Sequence, residues 1–210
     1  MSSAFDPLQC RRDKALDPAV TAVLIVDAQQ SEVTERHRIQ HPEYWQALHE
    51  RALPATRRLI DGARAAGCEI IYTVIEALTR DGRDRSLDHK LSGILIPRGA
   101  PEAAVIPLVA PGPDDIVLPK TSSGVFNSTN LDYVLRNLGV ENVIVAGFLT
   151  DQCVDMAVRD GADRGYYMVC AEDACATHTA LRHATALQAF GGYCRVQTVA
   201  EVLASIAGAA

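Results

Sequence analysis

The sequence has no excess of positive charge: 20 Lys and Arg stand against 26 Asp and Glu, a net charge of -6 over 210 residues. Without a basic surface to attract a phosphate backbone, nucleic acid is not expected as a partner. There is also no CxxC pair and no finger-type spacing among Cys10, Cys68, Cys153, Cys170, Cys175 and Cys194. A disulfide framework and structural zinc are therefore not expected, and no metal is assigned. No continuous apolar stretch opens the chain. MSSAFDPLQCRRDKALDPAV carries charges throughout, so neither a signal peptide nor a membrane anchor is expected, and the placement read from this is cytoplasmic. Finally, neither G-x-G-x-x-G nor G-x-x-x-x-G-K-[ST] occurs, which removes the usual phosphate cradles.

What is present is material for one core. Hydrophobic residues make up 48% of the chain, and no repeat or linker divides it, so one domain over 1–210 with an irregular leader over 1–18 is expected. AVLIVD (22–27), CEIIYTVI (68–75), IVLP (116–119), NVIVAG (142–147), YMVCA (167–171) and 193–198 read as short buried strands. Helical spacing fills the gaps: 43–66 with a restart near Pro54, a helix in NSTNLDYVLRNLG capped near Ser128, one from a Thr150 cap to about Gly165, one at 179–190 and one at 199–207. Strands alternating with helices imply right-handed crossovers and a mainly parallel six-stranded sheet in a three-layer α/β/α sandwich. The stretch 76–114, dense in Arg, Asp, Gly and Pro, is long for a connection, and long loops tend to be functional.

Ligands of open parallel sheets bind outside the carboxyl ends of the strands. Asp27 ends the first predicted strand, Lys120 follows the third, and Cys153 lies in the first helical turn after the fourth. Each has a plainer reading: a strand-end acid that satisfies turn amides, an exposed cation, a small buried hydrophobe. Together they supply a nucleophile, a proton carrier and an electrostatic partner on one rim. The positive end of a helix favours a thiolate at Cys153, and the backbone N–H groups of Leu149 and Cys153 are the nearest donors for an oxyanion. The other cysteines read as structural: Cys68, Cys170 and Cys194 in strands, Cys175 in a loop, Cys10 in the leader.

Three phrases carry a resemblance: TAVLIVDAQQ, VLPKTSSGVF and GFLTDQCVDMAVRDGADRGY, the last of the form G-x-x-T-x-x-C-V. In this order they resemble the isochorismatase-like cysteine hydrolases over nearly the whole chain. The resemblance implies a catalytic Asp27, Lys120 and Cys153, no cofactor, a cis peptide joining Phe148 to Leu149 that aims the Leu149 N–H into an oxyanion hole, and a homo-oligomer, dimer or tetramer.

Residues 76–92 hold one His and no Asp-x-His-Pro segment, unlike the metal loop of nicotinamidases. His37, His41 and His49, set among charged residues, read as solvated. The retained Cys153 implies acyl chemistry on an amide rather than vinyl ether cleavage. The KTSS, STN-x-x-Y-x-L-R-N-L-G and LTDQCV phrases look closest to the branch acting on N-carbamoyl amines and biuret. The expected activity is hydrolysis of a C–N bond in a small amide, ureide or N-carbamoyl compound through a thioester or thiocarbamate. A nicotinamidase-type or ureidoacrylate-type activity, a non-catalytic α/β binding module and a thiol redox protein are the alternatives.

Substrate-holding groups are expected from Glu76, Phe126 and Asn127, which border the same rim. Against this, Glu76 also reads as an exposed strand-end acid, Phe126 as core packing and Asn127 as a helix entry. Arg80, Arg83 and Arg85 meet either an acidic substrate or solvent.

Overall fold

The computed structural model describes residues 13–208; Cys10 and most of the expected leader lie outside them. Six strands form one all-parallel sheet: β1 (Thr21–Val26), β2 (Glu69–Ile75), β3 (Ile116–Lys120), β4 (Asn142–Phe148), β5 (Tyr167–Ala176) and β6 (Arg195–Gln197), in the order β3-β2-β1-β4-β5-β6. Alternation along β1 divides the core. Val23 and Ile25 face one helical layer, built on α1 (Glu35–Gln40), α2 (Pro42–Ala47), α3 (Leu53–Ala66) and α9 (Val199–Ala207). Ala22, Leu24 and Val26 face the other, built on α5 (Val125–Ser128), α6 (Leu131–Asn137), α7 (Asp155–Asp163) and α8 (Ala180–Phe190). Burial on both faces explains why the strands are apolar runs without polar alternation.

Local chemistry moves several expected boundaries. The helix restarts near Pro54 as expected: α3 begins at Leu53 with Pro54 in its first turn, where proline is tolerated, and a π-helical turn, Leu48–Ala52, joins it to α2. The helix expected from a cap near Ser128 is α6, with Asn130 at its N-cap position, and the short α5 precedes it; the two are parted at Thr129, which is extended and whose hydroxyl donates to the Val125 carbonyl and accepts from the Leu131 N–H. Thr150 does not cap the following helix. Its hydroxyl is engaged with His183 Nδ1 at 2.9 Å, and a π-helical turn, Thr150–Val154, precedes α7.

β5 runs five residues past its expected end through a bulge, in which β5 passes from Cys170 to Cys175 while β4 advances from Val145 to Gly147. Cys175 is thus in a strand, whereas Cys68 and Cys194 lie just before β2 and β6. The long 76–114 stretch contains α4 (Leu87–Leu91) and two 3-10 turns, and is tied to the exit of β1 by Gln30 N–Ala104 O, Ile106 N–Ala28 O and a Gln29–Val105 bridge.

Candidate active site

The chain winds outward from β1 to β2 and β3, then returns to the opposite side of β1 as β4. The crevice between β1 and β4 is therefore the topological switch point, where ligands of such sheets bind. Asp27 leaves β1 there. Cys153 sits on the π-helical turn that follows β4. Lys120 ends β3, separated from β1 by β2; two strand spacings are about 10 Å, a gap that a lysine stem spans most of the way.

The side chains meet. Lys120 Nζ lies 2.9 Å from Asp27 Oδ2 and 3.4 Å from Cys153 Sγ, and it donates to the Ser122 carbonyl at 2.9 Å. Thr73, on the intervening β2, donates to Asp27 Oδ1 at 2.9 Å, and the Asp27 N–H donates to the Thr73 carbonyl. Asp27 is the one non-glycine residue with positive φ among the described residues, 53°. Such a conformation costs of order 1 kcal/mol or more, and here Thr73 on β2 and Lys120 at the end of β3 hold it. The Phe148–Leu149 peptide is cis, as the resemblance implied. Gly147, at φ 128°, lets β4 approach β1 so closely that a Cβ would stand 2.0 Å from the Val26 carbonyl oxygen.

Lys120 is 0% exposed, Asp27 1% and Cys153 5%, so all three groups are largely withdrawn from solvent. Burial pulls Lys120 toward neutrality, but Asp27 and Cys153 outweigh it and raise its pKa. The expected resting thiolate is corrected: desolvation, and then the charge of Asp27, push the Cys153 thiol up to about 12 against the opposing pull of Lys120. Burial and the nearby Asp27 carboxylate beat the helix-start dipole.

Of the expected substrate contacts, Glu76 sits at the exit of β2, with its N–H on the Lys120 carbonyl, but its carboxylate accepts the Gly99 N–H at 2.7 Å and so holds the loop. Phe126 and Asn127 are not brought to the cluster. Phe126 is buried against Tyr166 and Arg164, toward the far end of α7, and the exposed Asn127 faces Asp160. Arg85 is tied to the Gly82 and Ile94 carbonyls, whereas Arg80 and Arg83 border an open cleft of 590 Å³. His37 and His41 are partly buried, not solvated: His41 stacks on His178 with ring centroids 3.8 Å apart, and only His49 of the three is exposed. Among the described residues, no three His, Cys, Asp or Glu side chains converge to hold a metal ion, and no helix is long and apolar enough to cross a membrane.

Two neighbours of the cluster escaped the sequence reading. Glu32 lies in the 3-10 turn Gln30–Val33, and its carboxylate accepts the Tyr44 hydroxyl at 2.8 Å. Desolvation raises its pKa to about 7, with Tyr44 and Lys120 lowering and Asp27 raising it. His89, on α4, is 1% exposed with neither ring nitrogen partnered. Burial, and then the charge of Lys120, lower the pKa of its imidazole. An acid five residues beyond a strand-end aspartate was a visible signal for Glu32; nothing local distinguishes His89.

A doubly wound parallel sheet with a sulfur, a carboxylate and an ammonium gathered at its switch point defines an α/β protein with a reactive cluster at its ligand-binding crevice. The chain belongs to the isochorismatase family: the Isochorismatase domain model matches residues 21–204. It is 32% identical to ureidoacrylate amidohydrolase RutB of Rhizobium rhizogenes over 76% of this chain and 71% of that one. It is 31% identical to the protein of the same name from Azorhizobium caulinodans over 80% and 82%. Among solved structures, a cysteine hydrolase from Pseudomonas syringae pv. phaseolicola superposes with a TM-score of 0.83 at 27% identity, covering 93% of this chain and 96% of the other. N-carbamoylsarcosine amidase from Thermoplasma acidophilum shares the fold, with a TM-score of 0.69 at 24% identity over 85% and 96%.

Proposed function

We propose that this protein is a cysteine amidohydrolase that opens a C–N bond of a small ureide, amide or N-carbamoyl compound, with Cys153 as nucleophile, Asp27 as proton carrier and Lys120 as electrostatic partner. The observation that carries the reading is the Lys120 ammonium seated between the Asp27 carboxylate at 2.9 Å and the Cys153 sulfur at 3.4 Å. The relatives named as ureidoacrylate amidohydrolases favour the ureide end of the range.

The cycle follows from the charges. Because the thiol is held protonated, it reacts only when Asp27 takes its proton as sulfur attacks the substrate carbonyl carbon. Lys120 compensates the charge then carried by sulfur. The tetrahedral oxyanion is received by the Leu149 and Cys153 N–H groups beyond the cis peptide. As the C–N bond breaks, Asp27 returns the proton to the departing nitrogen, leaving a thioester, or a thiocarbamate from a ureide. Asp27 then deprotonates a water whose oxygen attacks the acyl carbon, and the released sulfur recovers the proton. Every proton is carried by Asp27, and no metal or organic cofactor enters the scheme. The protein is further read as a cytoplasmic homo-oligomer, dimer or tetramer, whose size light scattering measures.

The test is ammonia or amine release from a panel containing ureidoacrylate, biuret, N-carbamoyl amines and nicotinamide, with and without prior iodoacetamide. Turnover of ureides that alkylation abolishes, and that substrate protects, supports the reading. Turnover indifferent to alkylation contradicts it.

A further inference from the structure

We infer that Glu32 is the specificity-determining residue of this site, and that the non-reacting part of the substrate beside it is rich in N–H donors, of ammonium, amidinium or carbamoyl type, rather than a carboxylate. The inference rests on the hydrolase reading above for the position of the substrate, and on three observations about Glu32 itself.

The first is anchorage. Glu32 belongs to the turn Gln30–Val33 that begins three residues after Asp27. That turn is clamped: Gln29, fully buried, accepts the Ile75 N–H and donates to the Ile75 and Glu102 carbonyls, and the Gln30 N–H binds the Ala104 carbonyl. One carboxylate oxygen of Glu32 is fixed by Tyr44, which is 0% exposed and whose ring meets Phe148, His37 and His178 edge-on. The side chain is thus held rigidly.

The second is charge. The groups that bear on Glu32 are Tyr44 from α2, Asp27 from the exit of β1 and Lys120 from β3. The ammonium is already paired with Asp27 at 2.9 Å and shared with Cys153, so the ionised form of Glu32 has no cation of its own. A partly buried carboxylate without a counter-charge is costly, and a ligand that brings N–H donors recovers that cost. A ligand carboxylate there would add a third negative group to Asp27 and Glu32.

The third is availability. Glu32 is only partly buried, and Tyr44 occupies one of its two oxygens. The second oxygen is left to accept from a ligand. Acceptance is strongest from the ionised carboxylate, whose pKa is raised to about 7 by desolvation. Recognition of donors should therefore strengthen as the pH rises through 7 and fade below it.

The experiment compares wild type with Glu32→Gln, an isostere that keeps an acceptor for Tyr44, using two non-reacting probes, methylguanidinium and acetate, at pH 6 and pH 8. Wild type is expected to bind methylguanidinium at least tenfold more tightly than acetate at pH 8, with the ratio shrinking at pH 6; E32Q is expected to lose the ratio and its pH dependence. The same substitution should raise KM for donor-bearing ureides about tenfold while changing kcat less. Equal probe affinities in wild type, tighter acetate binding, or an E32Q protein with an unchanged ratio would each overturn the assignment. Binding to the probes does not depend on turnover, so absence of any ureide hydrolysis would strike the catalytic reading alone.

Discussion

Two regions of this molecule obey different rules. In the helical layer over one face of the sheet, α3 and α9 pack together, and each carries a local signal at one of its ends. α3 stops at Gly67, left-handed at φ 89°, and α9 starts with a capping box in which Thr198 and Glu201 satisfy each other's backbone. At the switch-point rim, an aspartate takes a positive φ, a lysine is wholly buried, helices open on a π-helical turn, and a histidine is sealed without partners. Departures of this kind persist where the surroundings over-determine them, which is where function concentrates. The difference teaches that the rim is arranged for chemistry at some cost in stability, and the α3–α9 layer for folding.

That contrast can be broken most severely at Lys120. Lys120→Met leaves Asp27 buried and unpaired, and should cost about 3–5 kcal/mol in denaturant unfolding as well as all turnover. The double change Asp27→Leu with Lys120→Met should recover most of that stability while remaining inactive, since a buried ion pair adds little over apolar packing. Next comes Gly147→Ala. A Cβ 2.0 Å from the Val26 carbonyl, at φ 128°, should destabilise by roughly 3 kcal/mol or more and part β4 from β1.

Glu32 supplies a pH-dependent version. Its folded pKa, about 7, lies above the unfolded value. Folding therefore favours its protonated form, and the stability this contributes is present below about 4.5 and lost as pH rises through 7. Thermal melts of Glu32→Gln should match wild type near pH 4.5 and exceed it at pH 8, by at most about 3 kcal/mol. Smallest is the control in α9: Thr198→Ala should cost about 1 kcal/mol through the lost cap and leave kinetics untouched. If Thr198→Ala impaired turnover, the separation of the two regions would fail.

Legibility in the sequence divides along the same line. The α3–α9 layer was readable where a boundary carries its own signal: Gly67 closes α3, and α9 was expected at 199–207, where it is found. The strand order could not be read directly, but alternation of strands and helices was enough for the three layers. Asp27, Lys120 and Cys153 were readable as strand-end positions, and the cis peptide only through family resemblance. What failed depended on long-range contacts. Thr150 looks like a cap until His183, 33 residues on, is seen to hold its hydroxyl. Phe126 looked rim-facing until α7 and β5 were seen to bury it. The thiolate expectation failed because a dipole is local in sequence, whereas the desolvation that opposes it comes from the whole fold.

The central claim is that the sulfur of Cys153 performs the bond-breaking step. It is tested most directly by Cys153→Ser, assayed for ammonia or amine release on the ureide panel after its circular dichroism and melting temperature are matched to wild type. The account predicts an intact fold with turnover lowered roughly a thousandfold or more. A folded C153S protein that retains a tenth of wild-type turnover would contradict it.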